Sequence, residues 1–354
     1  MSPSARRAAW TLAQVVFTGI AMIVVLRLVR FRDLVKADDR PAAPAVEVDG
    51  LRVTWADGTS GVYAKVEVAE VGFLSIFEGA DKRLFFLMMA SLFAPFGLLA
   101  LRWWLLLRGH GFPAPFGQVF LVNYAGIFFN HLLPGGVGGD LTKALLASSG
   151  EERKAAVVAT VLLDRLIGLG VLIFLGSICL LPYAGRFEDR RIVWTVYGMA
   201  GATVLAYLLY FSPAVRAWVG PKLPFAAIRA QLDGVFRSAR ERKRLMAVSA
   251  LISLGSQVIT ILIIYGMARA LGLDRTPLWM YYVFEPIIFI VNALPISVGG
   301  WGVQEGVYAA LFGQLGGMSL NEAVALSLLY KVGMLLASVP GGVLFALGAA
   351  RRRR

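Results

Sequence analysis

Long apolar runs separated by short, basic loops make up most of the chain. A membrane-crossing helix needs about 20 such residues to cover about 30 Å of hydrocarbon. Runs of that length lie at 9–28, 84–107, 155–182, 191–211, 245–271 and 319–349, which predicts six full spans. The first follows Arg6 and Arg7, and Arg27 and Arg30 flank its far end. No small-residue cleavage site follows closely, so it reads as an uncleaved anchor. Two more apolar stretches, 116–149 and 277–316, are broken in the middle by Pro and Gly, and neither half is long enough to cross alone. One polar interval, 31–83, alternates as strands do: Val46 and Val48, then Leu51, Val53 and Trp55, then Val62, Ala64, Val66 and Val68. Asp49-Gly50 and Asp57-Gly58 supply turn chemistry, predicting a small β-meander that acts as a structured insertion, followed by an interfacial turn at 71–77.

Charge decides how these segments are threaded. Lys and Arg in short loops mark the cytoplasmic side. The connection 212–244 holds eight of them against Asp233 and Glu241, the C-terminus is Arg351 to Arg354, and Arg153 and Lys154 follow the first broken stretch. Placing all of these and the N-terminus inside requires an even number of full crossings. Six spans meet that condition if both broken stretches enter and leave on one side, as re-entrant hairpins. The expected fold is therefore an all-α polytopic membrane protein of six spans and two re-entrant helical hairpins, with an external β insertion at 31–83. Its divisions are an anchor (1–30), the insertion, a first repeat (84–182, hairpin 116–149), a connecting span with its basic segment (183–244), a second repeat (245–349, hairpin 277–316) and a basic tail (350–354).

Composition narrows the function classes. The chain is 58% hydrophobic and only 16% charged, with a net charge of +13. A soluble domain carries about a quarter charged residues, so a soluble enzyme is excluded, and so are disordered and collagen-like chains. With the charge confined to loops, the expected partners are membrane lipids, not nucleic acid; a homo-oligomer is allowed. Cys179 stands alone, which rules out a disulfide framework, and His110 and His131 leave little for a metal site. No P-loop is present, so no nucleotide or other cofactor is expected.

The broken stretches carry one pattern twice: Leu133-Pro134-Gly135-Gly136-Val137-Gly138-Gly139 and Leu294-Pro295-Ile296-Ser297-Val298-Gly299-Gly300. The offset is 161 residues, from 133 to 294 and from 139 to 300 alike. An amide precedes each copy (Asn130, Asn292) and an acid follows each (Asp140, Glu305). Downstream, Leu162-Leu163-Asp164-Arg165-Leu166 echoes Leu328-Leu329-Tyr330-Lys331-Val332 at an offset of 166. With the orientation above, one unit enters from inside and the other from outside, which predicts inverted-topology repeats of the secondary-transporter kind. Pro134 and Pro295 end one half-helix, and Gly138, Gly139, Gly299 and Gly300 allow a tight reversal. The next half-helix then opens with free N–H groups suited to phosphate or carboxylate.

Asp140, Lys143, Asp164, Arg165, Glu285, Glu305 and Lys331 all fall in or beside apolar segments, where each charge costs about 2.5 to 3.5 kcal/mol at a helix centre. Such residues pair with one another or line a polar path. The available pairings are Arg165 with Asp140 or Glu305, and Lys331 with Glu305 or Glu285; the sequence leaves the choice open. The candidate substrate-binding set is Asn130, Asp140, Lys143, Asp164, Arg165, Asn292, Glu305 and Lys331, with no catalytic residue and no metal ligand.

Asn130…Leu133-Pro134-Gly135…Gly138-Gly139-Asp140, Asp164-Arg165 and Leu294-Pro295…Gly299-Gly300-Trp301-Gly302-Val303-Gln304-Glu305 resemble the membrane region of the lysylphosphatidylglycerol synthase family, flippase-like integral membrane proteins. The likeness covers roughly 84–349. It implies translocation of a phospholipid or lipid-linked headgroup between leaflets of a bacterial cytoplasmic membrane; substrates in relatives include aminoacylated phosphatidylglycerol, polyprenyl-linked sugars and hopanoids. Lys143 stands where the family often shows arginine, and the 31–83 insertion is unusual for it. No aminoacyl-transferase domain follows Arg354, so translocation without lipid synthesis is expected. Two other classes share some features: a membrane-embedded transferase acting on a lipid-linked substrate, and a small-solute secondary transporter. The transferase needs an acid or base near the surface and usually an acidic metal cluster, which the inner loops lack.

Overall fold

A computed structural model describes residues 3–37, 40–49, 52–63, 66–132, 139–140, 142–143, 151–187, 190–211, 241–293 and 296–351. The expectations for Pro134, Gly138 and Pro295, and for the basic segment between 212 and 240, lie outside those residues. The protein is a helical membrane protein, and among the described residues four stretches are long and apolar enough to cross a bilayer: Lys82–Gly109, Val157–Arg186, Lys243–Ala270 and Leu320–Leu347.

The elements in chain order are α1 (Pro3–Leu28), strands β1 (Leu34–Ala37), β2 (Arg40–Asp49), β3 (Arg52–Trp55), β4 (Ser60–Val62) and β5 (Val66–Glu70), then α2 (Phe73–Glu78), α3 (Lys82–Ser91) and α4 (Phe93–Gly109). There follow α5 (Phe116–Leu132), α6 (Glu151–Leu180), α7 (Arg190–Phe211), α8 (Lys243–Ala270), α9 (Leu278–Ala293), the short α10 (Val303–Tyr308) running into a π-helical turn (Ala309–Gly313), and α11 (Leu320–Arg351). Gly139–Asp140 and Thr142–Lys143 are helical too. At about 1.5 Å per residue, the 17 residues of α5 and the 16 of α9 span about 24–26 Å, short of a full crossing.

The strands form one antiparallel sheet in the order β4-β3-β2-β1-β5. A plain meander would end at its far edge. Here β5 returns to pair with β1, matching Val35 to Val68 and Ala37 to Val66, which corrects the expected connectivity. The reason is a small core: Val35, Ala37, Ala45, Val53 and Trp55 are buried on one face, and closing β5 over β1 lets Val66 pack against it. Trp55 Nε1 donates to Tyr63 Oη at 2.8 Å, which keeps the indole N–H satisfied.

Hydrogen bonds define the two ends of the helical body. At one end, Asp81 N–H donates to Ala270 O (2.7 Å), Thr276 Oγ1 to Gly316 O (2.6 Å) and Asn321 Nδ2 to Val71 O (3.2 Å). The sheet sits at this end, held by Arg30 to Glu70 (2.7 Å) and by Arg30 N–H to Asn321 Oδ1 (2.9 Å). At the opposite end the close of α4 meets the start of α8, where a methyl added at Gly109 would strike Leu245. α4 and α8 thus run antiparallel through the core, which is built on Leu92, Phe96, Ile264, Met267, Phe284 and Phe312. Around that axis α5 packs on α11, and α9 packs on α6.

Candidate functional site

α5 begins at the end of the molecule where α4 closes, and α9 begins at the sheet end. Their far ends meet inside. The carbonyl of His131, in the last turn of α5, faces Gly299 so closely that an added Cβ there would stand 2.6 Å from it. Gly299 and Gly300 have φ of +56° and +74°, so this turn combines a left-handed backbone with a contact no side chain fits.

Each interrupted stretch is organised by its amide. Asn130 Oδ1 accepts from Gly139 N–H at 2.7 Å, which folds the start of the second limb against the end of the first. Asn292 Nδ2 donates to Gln304 Oε1 at 2.8 Å, and Gln304 Nε2 donates to Ser327 Oγ at 3.2 Å, tying that limb to α11. Asn292 Oδ1 and Lys331 Nζ both face Gly300.

The acids are paired. Arg165 Nη1 donates to Asp140 Oδ2 at 2.8 Å, with about a quarter of each side chain exposed (25% and 23%). Lys331 Nζ lies 3.2 Å from Glu305 Oε1, and both side chains are closed off, at 3% and 0% exposure. The other oxygen of Glu305 accepts from Gly302 N–H at 2.6 Å, so one carboxylate caps α10 and faces a cation together. Lys331 Nζ also stands 4.8 Å from the centre of the Trp301 ring. Asn292 Oδ1 is buried without a hydrogen-bond partner among the described residues, and Glu305 Oε1 and Lys331 Nζ have only their mutual 3.2 Å contact, which leaves donor and acceptor capacity beside Gly300.

Asp164 faces away from these pairs. Its Oδ1 takes Arg102 Nε at 2.6 Å, while Arg102 Nη1 donates to Ser253 Oγ at 2.8 Å, a fully buried lock between α4, α6 and α8. Sequence reasoning missed Arg102. It lies near the predicted end of the 84–107 span, where a long cation ordinarily reaches out to the interface. Lys143 is buried against Gly126, with Nζ 5.5 Å from the Trp103 ring centre and no carboxylate partner among the described residues. It does not pair with Asp140 three residues before it. Glu285, fully buried in α9, accepts from Tyr308 Oη at 2.6 Å and not from Lys331. Of the eight predicted residues, the structure therefore joins Asp140 to Arg165 and Glu305 to Lys331, sets Asn130 and Asn292 at the two turns, and places Asp164 and Lys143 in separate buried contacts. Among the described residues no cluster of His, Cys, Asp and Glu fits a metal ion.

Comparison with known proteins shows the family. The chain is 22% identical over 282 residues to a UPF0104 membrane protein of Methanothermobacter thermautotrophicus, covering 71% of this chain and 79% of the relative. It is 26% identical over 258 residues to a UPF0104 membrane protein of Pyrococcus horikoshii, covering 64% and 75%. Residues 53–341 match the model of the lysylphosphatidylglycerol synthase TM region, and the chain belongs to that family.

Proposed function

We propose that this protein moves the polar headgroup of a lipid, a phospholipid or lipid-linked saccharide, between leaflets through a cavity between two inverted repeats. It acts as a flippase or scramblase and not as an enzyme. The observation that carries this reading is the duplication of the ion pair: Asp140 to Arg165 and Glu305 to Lys331, related by offsets of 165 and 166 residues. The helices carry the offset of the Pro-Gly motif: α4 closes at Gly109 and α8 at Ala270, 161 apart, and α5 and α9 begin at 116 and 278, 162 apart. Packing is exchanged between the halves in the same way. Gly176 of α6 receives Pro286 of α9, and Gly341 of α11 receives Tyr124 of α5, so each broken helix leans on the long helix of the other half.

In this reading 116–149 and 277–316 are re-entrant hairpins. The sheet end is external, and the end carrying Arg108, Arg242, Lys243 and Arg244 is cytoplasmic in a bacterial inner membrane, with both termini inside. Irregular backbone at that depth is tolerable only against protein or a hydrated cavity. The free capacity around Gly300, with Lys331, Glu305 and Asn292, suits a zwitterionic or phosphate-bearing headgroup, while the acyl tails remain in the bilayer.

The test is a leaflet-resolved assay in proteoliposomes with a panel of labelled lipids. Asp140→Ala, Arg165→Ala and Glu305→Ala are each expected to slow translocation at least about 10-fold; for the closed-off Glu305–Lys331 pair, stripping one member costs about 2–5 kcal/mol. Rates like those of the unmodified protein in all three would refute the site.

A further inference from the structure

One buried pair of positions changes its chemistry between the two halves. Asn123 and Lys143 of the first half correspond, at offsets of 162 and 165, to Glu285 and Tyr308 of the second. The second half therefore carries a buried carboxyl hydrogen-bonded to a phenol, where the first carries an amide and a lysine. We infer that Glu285 is a proton-binding site whose occupancy governs the closure of the second hairpin, so that headgroup movement draws on a proton gradient. The inference rests on the translocation reading above and adds its driving force.

Three observations place the site. The carboxyl is 1% exposed, and no cation lies within ion-pair distance of it among the described residues. The neighbouring elements carry other titratable groups. α10 offers Tyr308 and, one turn earlier, Glu305, which faces Lys331. α11 offers Tyr330. α8 offers Tyr265 and Arg269, the latter paired with Asp274 at 3.0 Å. α6 offers Cys179, and α9 itself Tyr281 and Tyr282. A carboxylate without a cation in so apolar a setting is strongly disfavoured against the neutral acid, so closure takes a proton and opening to water releases it.

The carboxyl also sits beside an irregular point of α9. Pro286 follows it and removes a hydrogen bond from the interior of α9, and Tyr308 is the last residue of α10 before the π-helical turn. Their hydrogen bond joins the two irregular points of the hairpin. Finally, Tyr281 lies one turn nearer the sheet end on the same face of α9, and Tyr330 adjoins Lys331. Both hydroxyls are buried without a hydrogen-bond partner among the described residues. Tyr281 and Tyr330 thus leave two unpaired hydroxyls in the same buried cluster that holds the Glu285–Tyr308 hydrogen bond.

Two measurements on the full chain test this. In infrared difference spectra at neutral pH, the C=O band of a protonated carboxylic acid should be present, vanish in Glu285→Gln, and shift in Tyr308→Phe, which keeps the acid and removes its donor. In proteoliposomes holding a labelled phospholipid, a gradient of one pH unit should skew the leaflet ratio by up to about 10-fold for a one-to-one exchange. Glu285→Gln should still equilibrate the lipid but leave the ratio even. A missing band, or an unmodified protein that moves lipid with no response to the gradient, or a Glu285→Gln variant that responds equally, overturns the inference and leaves the translocation reading standing. If the unmodified protein moves no lipid at all, the translocation reading falls and the coupling with it, while the band alone still decides whether Glu285 holds the proton.

Discussion

Buried charges in this protein fall into two kinds, and individual contacts separate them. Arg102 is held by Asp164 and Ser253 inside the helix bundle, which makes it a lock. Arg102→Met strands a buried carboxylate and should destabilise the fold by about 3–5 kcal/mol, whereas Arg102→Met with Asp164→Leu should recover most of the loss; thermal denaturation in detergent measures both. Asp140 and Arg165 are partly open and sit beside a chain reversal, so their exchange (Asp140→Arg with Arg165→Asp) should leave stability near its original value and impair lipid movement. The sequence identified seven ionisable residues at depth and could not sort them. Adjacent residues such as Asp164 and Arg165 point about 100° apart on a helix, and their partners lie on other elements.

Among the elements, close helix crossings depend on residues without a side chain. A Cβ at Gly341 would lie 2.6 Å from Tyr124 O, next to the hydrogen bond from Tyr124 Oη to Ala337 O. Gly341→Val should force α5 from α11 and cost about 1–3 kcal/mol or more, with a matching drop in folded yield. Gly97, inside α4 with open space around it, offers the contrast: Gly97→Ala should stabilise by up to about 1 kcal/mol. The helices themselves were legible as apolar runs, with observed bounds close to those expected at 84–107 and 245–271. The sheet was legible as alternation, but its order was not. β1 (Leu34–Ala37) lies before the alternation that runs from Val46 to Val68, and without it the return of β5 has no partner.

For the molecule as a whole, the proposed inverted arrangement puts the α4–α5 and α8–α9 connections on opposite sides of the membrane. In a Cys179→Ser background, Pro113→Cys should react with an impermeant maleimide from the cytoplasmic side and Arg275→Cys from the external side, both positions being exposed. Labelling of both from one side would end the inverted reading. By itself the sequence determined that the chain is a helical membrane protein with two interrupted apolar stretches and charges it cannot leave in lipid, because burial of apolar length and the cost of unpaired charge act locally and show in composition and spacing. Tertiary structure decided which acid meets which base, that the end of α5 touches the turn at Gly299, and that Glu285 faces a phenol and not a lysine. Those contacts join residues from 23 (Glu285 to Tyr308) to 168 (His131 to Gly299) positions apart, brought together only when long helices pack, and no local pattern encodes which faces will meet.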